Sequence, residues 1–564
     1  MSIMHGAGFR IVEDNETNSI LFPDNYYKYY GDSGDVFGVF DLAGRIGDIS
    51  MNFGSGKYNF LAEDKCIDVH NIPIGSQFSA FSRIAPISLH CEQPNLDRLC
   101  KLAEGLYEIR NTGGFAEKIQ ASFTYMGQLI AHDLSEIYVV DDKKCIINLK
   151  DASLSLEGIF AIDDFALASI GVTEADGLAV GSAVPVSENA GNDLPRNCSG
   201  VPLIGDLRND HNLGLAQFHV LMTKFSQCLI LLYPHLSRSD RRRVAKQHFY
   251  SIVLHDYLYE IIDLEVYEDV MTNGRALIYC QGAGHQKKYM VPIEFSAAFF
   301  RFGHSMVRQT YPDWNGQGED AGTQDLLSNT NTLEPLEHGR ITDNWPVDWA
   351  RLVGDFDPKS KLSRLSSASI DPALAYSLHE LDPRFFNASD LKSLFGVELE
   401  EVSLAKVTLA RGRSLCLPSA QRFWHVVDQK MPPGRPRPTM LTPDQIVNSV
   451  SDASFRKLLA EYGKADDGSD GSPFAEQTPL WLYTLLESMV LQSGQRLGPL
   501  ASRVVMETIH AAIQTDSASI IDDKNALLEL VPRLPMRGRH FKLSDLVAIV
   551  DENWSKRTLE TALT

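Results

Sequence analysis

The sequence predicts a mainly α protein: a large helical domain with an extended N-terminal arm and few strands. Three observations carry that expectation. Apolar residues recur at helical spacing in one long stretch after another, as on a helix with one buried face. Strand-like alternation of apolar and polar residues is rare. The chain of 564 residues exceeds one ordinary compact core, so it must build a large multi-lobed domain.

Residues 1–75 are rich in Gly, Asn, Asp and Tyr with weak periodicity, and read as an arm lying over a core. Residues 76–530 form the main domain, and 531–564 a C-terminal tail packed on it. The stretch 76–120 closes on RNTGGF, a turn signal. In 121–135, Phe123, Met126, Ile130 and Leu134 give a helical stripe. Residues 155–200 carry Gly, Asp and Ser in the proportions of a loop. Leu215, Phe218, Met222, Phe225, Leu229 and Leu232 fall on one face of a helix over 213–233, with Asn209, Asp210 and Asn212 offering N-caps and Pro234 beyond its end. Residues 240–265, 292–310, 403–425 and 478–514 have the same periodicity, whereas 430–440 and 464–473 are loops. No internal repeat is visible.

Composition narrows the function classes. Hydrophobic residues at 44% and charged residues at 22% describe an ordinary globular protein. The net charge of −21 disfavours nucleic acid and anionic lipid as partners. The longest unbroken apolar stretch, near Cys228–Tyr233, is short of a membrane span. The opening MSIMHGAGFRIVEDN lacks a basic n-region and an apolar h-region, so a cytoplasmic protein, or one exported without a cleaved signal, is expected. Eight cysteines with no CxxC suit free thiols in a reducing compartment. No HExxH or comparable spacing suggests a zinc hydrolase.

Three segments carry chemistry-bearing residues. In GQLIAHDL, Gln128 and His132 stand four apart and share a helical face, an amide and an imidazole aimed into one space. In EFSAAFFRFGHSMV, Ala297, Phe300, Arg301, His304 and Arg308 share a face. One imidazole, apolar walls and cations are what haem requires: a ligand for iron, a lining for the macrocycle and partners for the propionates. In IGDLRNDHN, Arg208 precedes a helix whose positive end reinforces its guanidinium, a suitable place to stabilise negative charge.

Together these segments resemble the animal haem peroxidases of the peroxidase–cyclooxygenase superfamily, most closely the bacterial members. GQLIAHDL resembles the family's distal-helix motif, GDLRNDHNLGL its catalytic-arginine motif and EFSAAFFRFGH its proximal-histidine motif. SLAKVTLARGRSLCLPSAQ at 403–421 and TPLWLYTLLESMVLQSGQRLGPLASRVV at 478–505 are similar to further family segments, in the same order, and the likeness covers roughly residues 80–520. The resemblance implies His304 as the axial iron ligand, His132 as the distal acid–base group, Gln128 as the distal glutamine and Arg208 as the catalytic arginine. It implies Arg301 and Arg411 at the haem propionates. The activity it implies is reduction of hydrogen peroxide through a ferryl intermediate, with oxidation of a small donor or halide.

Departures from the family pattern sharpen the expectation. Ala131 and His211 stand where mammalian members have the carboxylates that esterify haem, and Asn212 where the most modified member has methionine. The resemblance therefore implies non-covalent haem b, with Asp210, one residue from the ester position, as a complication. Thr408 stands where the family has an asparagine that hydrogen-bonds the proximal histidine, so the surroundings of the iron ligand are altered. Asp133, Asp151 and Ser153 match the family's calcium loop in part, with Ile147 in place of a threonine, and Ca2+ is an expected second metal. Two alternatives stand beside the peroxidase. One is a haem fatty-acid dioxygenase, whose radical tyrosine would occupy the place of Arg301. The other is a non-enzymatic adhesion or interaction protein on the same fold.

Overall fold

A computed structural model of the chain describes side chains over 81–86, 94–137, 148–160, 180–185, 191–280, 289–354, 364–386, 391–461, 472–521 and 540–555, apart from a few single positions. Outside these ranges it describes only the backbone of certain strands and of the last helix. The architecture is mainly α, as the periodicity predicts.

Much of the first 75 residues lies outside the described residues, but paired strand backbone is present there. Lys28–Tyr29, Val36–Phe40, Ile46–Gly54, Lys57–Ala62 and Lys65–Asp68 pair in sequence order as an antiparallel meander. Gln77–Ala80 pairs with Gly8–Glu13 on one side and with Cys145–Asn148 on the other. The sequence signal for these strands is weak because Gly, Asn and Asp interrupt the alternation.

The first helix of the main domain, α1 (Leu96–Glu108), was not anticipated. Its signals are nonetheless present: Asn95 caps it, accepting from Arg98 N–H, and Leu99, Leu102, Ala103 and Leu106 form the buried stripe. Helix α2 (Ser122–Leu134) and helix α3 (Leu213–Leu232) appear where expected. Asn212 caps α3 by accepting from Leu215 N–H. Gly214 admits the ring of Tyr125, which lies 2.3 Å from where a Cβ would stand, so α2 and α3 pack closely.

Helix α3 has the length and apolar content of a membrane span, at 20 residues and a mean hydropathy of 1.3. The unbroken apolar run understates this because Gln217, Thr223 and Lys224 interrupt it. In the fold 72% of that segment is buried, against α2, α4 (Arg238–Ile252) and the C-terminal helix. It is the central core helix.

Three predicted helical stretches are broken. The segment 292–310 is a short α5 (Ile293–Ala297), an interruption at Ala298 (φ −135°, ψ −71°), and a 3₁₀ turn over Phe299–His304. Arg308 leaves that face altogether: its guanidinium donates to the carbonyls of Thr310 and Ser366 and lies over the ring of Phe115. The segment 403–425 divides into α6 (Leu404–Ser414) and a second helix, Ala420–Lys430, with Cys416 at positive φ between them. The long periodic segment 478–514 divides into α7 (Leu480–Gln492) and α8 (Pro499–Thr515). Ser493 and Gly494 have positive φ, Pro499 starts the second helix, and the Glu487 carboxylate accepts from Leu500 and Ala501 N–H as a cap from outside. Helix α9 (Leu543–Leu563) closes the chain against α3, burying Leu543 and Leu546. One continuous apolar core joins these helices. Among the described residues, Cys100, Cys228, Cys280 and Cys416 form no disulfide with one another.

Candidate active site

A cavity of about 390 Å³ opens between two walls, within the range of roughly 300–1,000 Å³ typical of small-molecule sites. One wall is α2 with the turn preceding α3; it presents Gln128, Ala131, His132, Arg208 and His211. The other is the 3₁₀ turn with α6; it presents Phe300, Arg301, His304, Thr408 and Arg411. Each residue the sequence assigned to iron, peroxide or propionate thus lines one space. Leu378, Leu381 and Phe385 contribute apolar surface to it.

The first wall is built for closeness. Gly127 faces Tyr257, whose Oη lies 2.6 Å from the place of a Cβ. Tyr257 ends a π-helical turn (Val253–Tyr257), a distortion that often accompanies functional sites. Four residues apart on α2, Gln128 and His132 point the same way. Asn212 Nδ2 donates to Gln128 Oε1 at 2.9 Å, which leaves the Gln128 amide N–H groups as the free donors.

His132 has its Nδ1 3.0 Å from Asn209 Oδ1. An amide oxygen only accepts, so the proton is on Nδ1 and Nε2 keeps its lone pair. Burial and the Arg208 guanidinium hold this imidazole well below its ordinary pKa, so it is neutral. A neutral imidazole with an open Nε2 can act as a base at neutral pH.

Arg208 sits in a 3₁₀ turn (Leu207–Asp210) capped by Asp206. Its guanidinium grips Asp206 with Nε at 3.0 Å and Nη2 at 2.7 Å. Its Nη1 donates to the carbonyl of Ser135 and its Nη2 to that of His132. Burial alone would raise the Asp206 carboxyl, but Arg208 and Lys150 beside it hold it well below the carboxylate range. The sequence expectation was a guanidinium reinforced by the end of α3. Instead its charge is balanced by a carboxylate, and it binds the last turn of α2, where carbonyls lack helical partners.

On the second wall, three-residue spacing in a 3₁₀ turn eclipses Arg301 and His304, so both reach the cavity although the predicted α-helix is absent. His304 Nδ1 is buried without a hydrogen-bond partner among the described residues. Burial, then Arg301 and Arg411, push the imidazole down to about 3. It is therefore a neutral donor with a ring nitrogen unspent, as a metal ligand requires. Burial and the neighbouring cation Arg411 also push Arg301 down, to about 9. A second guanidinium beside a desolvated one favours an anionic ligand. Thr408 does not take over the family asparagine's role: its hydroxyl donates to the Leu404 carbonyl of its own helix at 2.7 Å.

The positions of haem esters elsewhere are occupied as the sequence implies, by the methyl of Ala131 and the imidazole of His211, both on the cavity. Asp210 lies outside the cavity lining, held by both terminal nitrogens of Arg196 at 2.7 and 2.8 Å.

Asp133 and Asp151, the expected calcium ligands, are both buried. Asp133 accepts from Leu156 N–H at 2.7 Å, and Ser153 donates its hydroxyl to Asp151 at 2.8 Å. Burial pushes Asp133 up to about 7, and burial and nearby Glu157 raise Asp151 as well. Among the described residues, no three His, Cys, Asp or Glu side chains gather as a ligand set. A cation here would need Ser153 and backbone carbonyls to complete its shell.

Sequence reasoning missed Asp206, Asn209 and His219. The first two lie inside the motif IGDLRNDHN and were within reach. His219, whose Nδ1 is 3.3 Å from Asn209 Nδ2, comes from α3, and only the fold brings it to His132.

No protein-family profile and no curated protein matches the chain. Solved structures do. Peroxidase A from Dictyostelium discoideum superposes with a TM-score of 0.51 over 79% of this chain and 89% of its own, at 14% sequence identity. A fatty acid alpha-dioxygenase from Arabidopsis thaliana gives a TM-score of 0.47 over 85% of this chain and 77% of its own, at 12% identity. The first likeness establishes a shared fold.

Proposed function

We propose that this protein is a haem peroxidase of the animal type, an oxidoreductase that reduces hydrogen peroxide and oxidises a small donor or halide. The observation that carries the reading is the pair of neutral histidines lining one cavity, one with its Nδ1 turned to Asn209 and one beside the guanidinium groups of Arg301 and Arg411. The fold shared with a peroxidase supports it.

The cavity fits haem. His304 would hold the iron, Arg301 and Arg411 the propionates, and Phe300 with the leucines the macrocycle. When bound, haem supplies the redox chemistry that splits peroxide and passes oxidising equivalents to the donor. The chain's own part is proton handling. His132 Nε2 takes the proton of an entering peroxide, then returns it to the departing oxygen. Gln128 offers an oriented N–H to an oxygen in the same space. Arg208 holds the His132 end of α2 in place and adds a fixed dipole with Asp206. No carboxylate stands at Ala131 or His211, so the cofactor is non-covalent haem b. Calcium at Asp133, Asp151 and Ser153 would fasten α2 to the loop that follows it.

The test is an absorption spectrum of purified, haem-loaded protein before and after hydrogen peroxide, followed by addition of a phenolic donor. A Soret band that shifts with peroxide and recovers with donor is expected. A Soret band unresponsive to peroxide removes the proposal, and stereospecific oxygen uptake with linoleate would place the protein on the dioxygenase branch instead.

A further inference from the structure

Behind His132 lie two buried side chains, Asn209 in contact with it and His219 in contact with Asn209. Asn209 and His219 are each 1% exposed. Asn209 Oδ1 faces His132 Nδ1 at 3.0 Å, and Asn209 Nδ2 faces His219 Nδ1 at 3.3 Å. Gly158 makes room for this amide, since a Cβ there would stand 3.0 Å from Asn209 Nδ2.

A carboxamide is asymmetric: its nitrogen only donates and its oxygen only accepts. With its Nδ1 lone pair available, His219 takes the amide N–H and holds Asn209 in one of two orientations. The amide oxygen then meets His132, and only an Nδ1–H can satisfy it. A neutral imidazole has one N–H, so Nε2 is left bare. The opposite orientation would present an N–H to His132 Nδ1 and drive the ring proton to Nε2. His132 would then face the cavity as a donor, unable to accept a proton from peroxide.

We propose that Asn209 and His219 are positioning residues that select the tautomer of His132: His219 fixes the Asn209 amide, and the amide fixes the proton on Nδ1. This rests on the reading of His132 as the base, but tautomer and activity can be measured separately. Full-length protein labelled with 15N-histidine is observed by NMR without substrate, the His132 signals being assigned by their loss in His132→Gln. The expected wild-type state is Nδ1–H. His219→Leu removes the acceptor and lets the amide turn, so the Nε2–H form should appear; His219→Gln restores an acceptor and with it Nδ1–H. Asn209→Ala should also release the tautomer, and it provides the reading if His219→Leu does not fold.

In the haem-loaded protein the rate constant with peroxide should fall about tenfold or more in His219→Leu, part of the roughly 10²–10⁴ that a general base supplies, and recover in His219→Gln. An Nε2–H tautomer in the wild type overturns the proposal, as does a tautomer unchanged in both His219→Leu and Asn209→Ala. A tautomer that shifts in a protein inert to peroxide upholds the pair and refutes the peroxidase reading.

Discussion

His304 and His132 are one side chain given two tasks by different neighbours. Both are neutral through burial, but His132 has its Nδ1 engaged by Asn209, while His304 Nδ1 has no partner among the described residues. His304→Ala should therefore lose stable haem binding. Full haem content and an unchanged Soret band in that variant would disprove the ligand assignment. His132→Ala should keep haem but react with peroxide at least about 10²-fold more slowly in stopped flow. Arg208→Ala should slow the reaction similarly, and it should also destabilise the protein, because it strips the buried Asp206 of its main partner. Rates near wild type in both variants would dismiss the mechanism. At this scale the sequence was informative wherever chemistry is local. Gln128 and His132 are related by helical spacing alone, and Asp206 lies two residues from Arg208. His219 was invisible because its relation to His132 exists only through the packing of α2 on α3.

At the level of elements, the sequence located helices better than it located their interruptions. The proximal segment keeps Arg301 and His304 on one face because three-residue spacing serves both α and 3₁₀ geometry; Arg308, seven residues from Arg301, drops out when the helix stops. The division of 478–514 was legible in Gly494 and Pro499, but the apolar period running through both halves concealed it. Helix α2 also has a second face with its own consequence. Asp133 is raised to about 7 from an ordinary 3.8, so between those pH values the native state binds more protons than the unfolded chain. Stability should fall as pH rises through that window. Calcium would favour the ionised carboxylates and reverse the trend. Added Ca2+ should raise Tm more at pH 8 than at pH 5, and Asp151→Asn should abolish the difference. An equal or absent effect at both pH values in calorimetry would argue against a cation at this loop.

Across the whole molecule, the cavity is made by parts of the chain far apart in sequence: α2 and the turn before α3 on one side, the 3₁₀ turn and α6 on the other. The mainly α class was readable from periodicity, but the joining of these walls is a property of the fold, and sequence likeness stood in for it. Arg411 stands near enough to Arg301 that its charge, together with burial, opposes the charge of Arg301. A cofactor that binds only the folded state adds stability by mass action, about 2.7 kcal/mol at a hundredfold excess over Kd. Haem should therefore raise Tm in the wild type, and the rise should vanish in His304→Ala. The same walls decide how haem is retained. Ala131 offers a methyl, His211 an imidazole, and Asp210 is committed to Arg196, so none of these three positions offers the macrocycle a free carboxylate. Acidified organic solvent should extract haem b that runs unmodified on chromatography, even after turnover with peroxide. Mass spectrometry of tryptic peptides supplies the decisive reading. A haem adduct on the peptides bearing Ala131, His211 or Asp210 would mean that the cofactor lies against α2 differently from the way these walls imply.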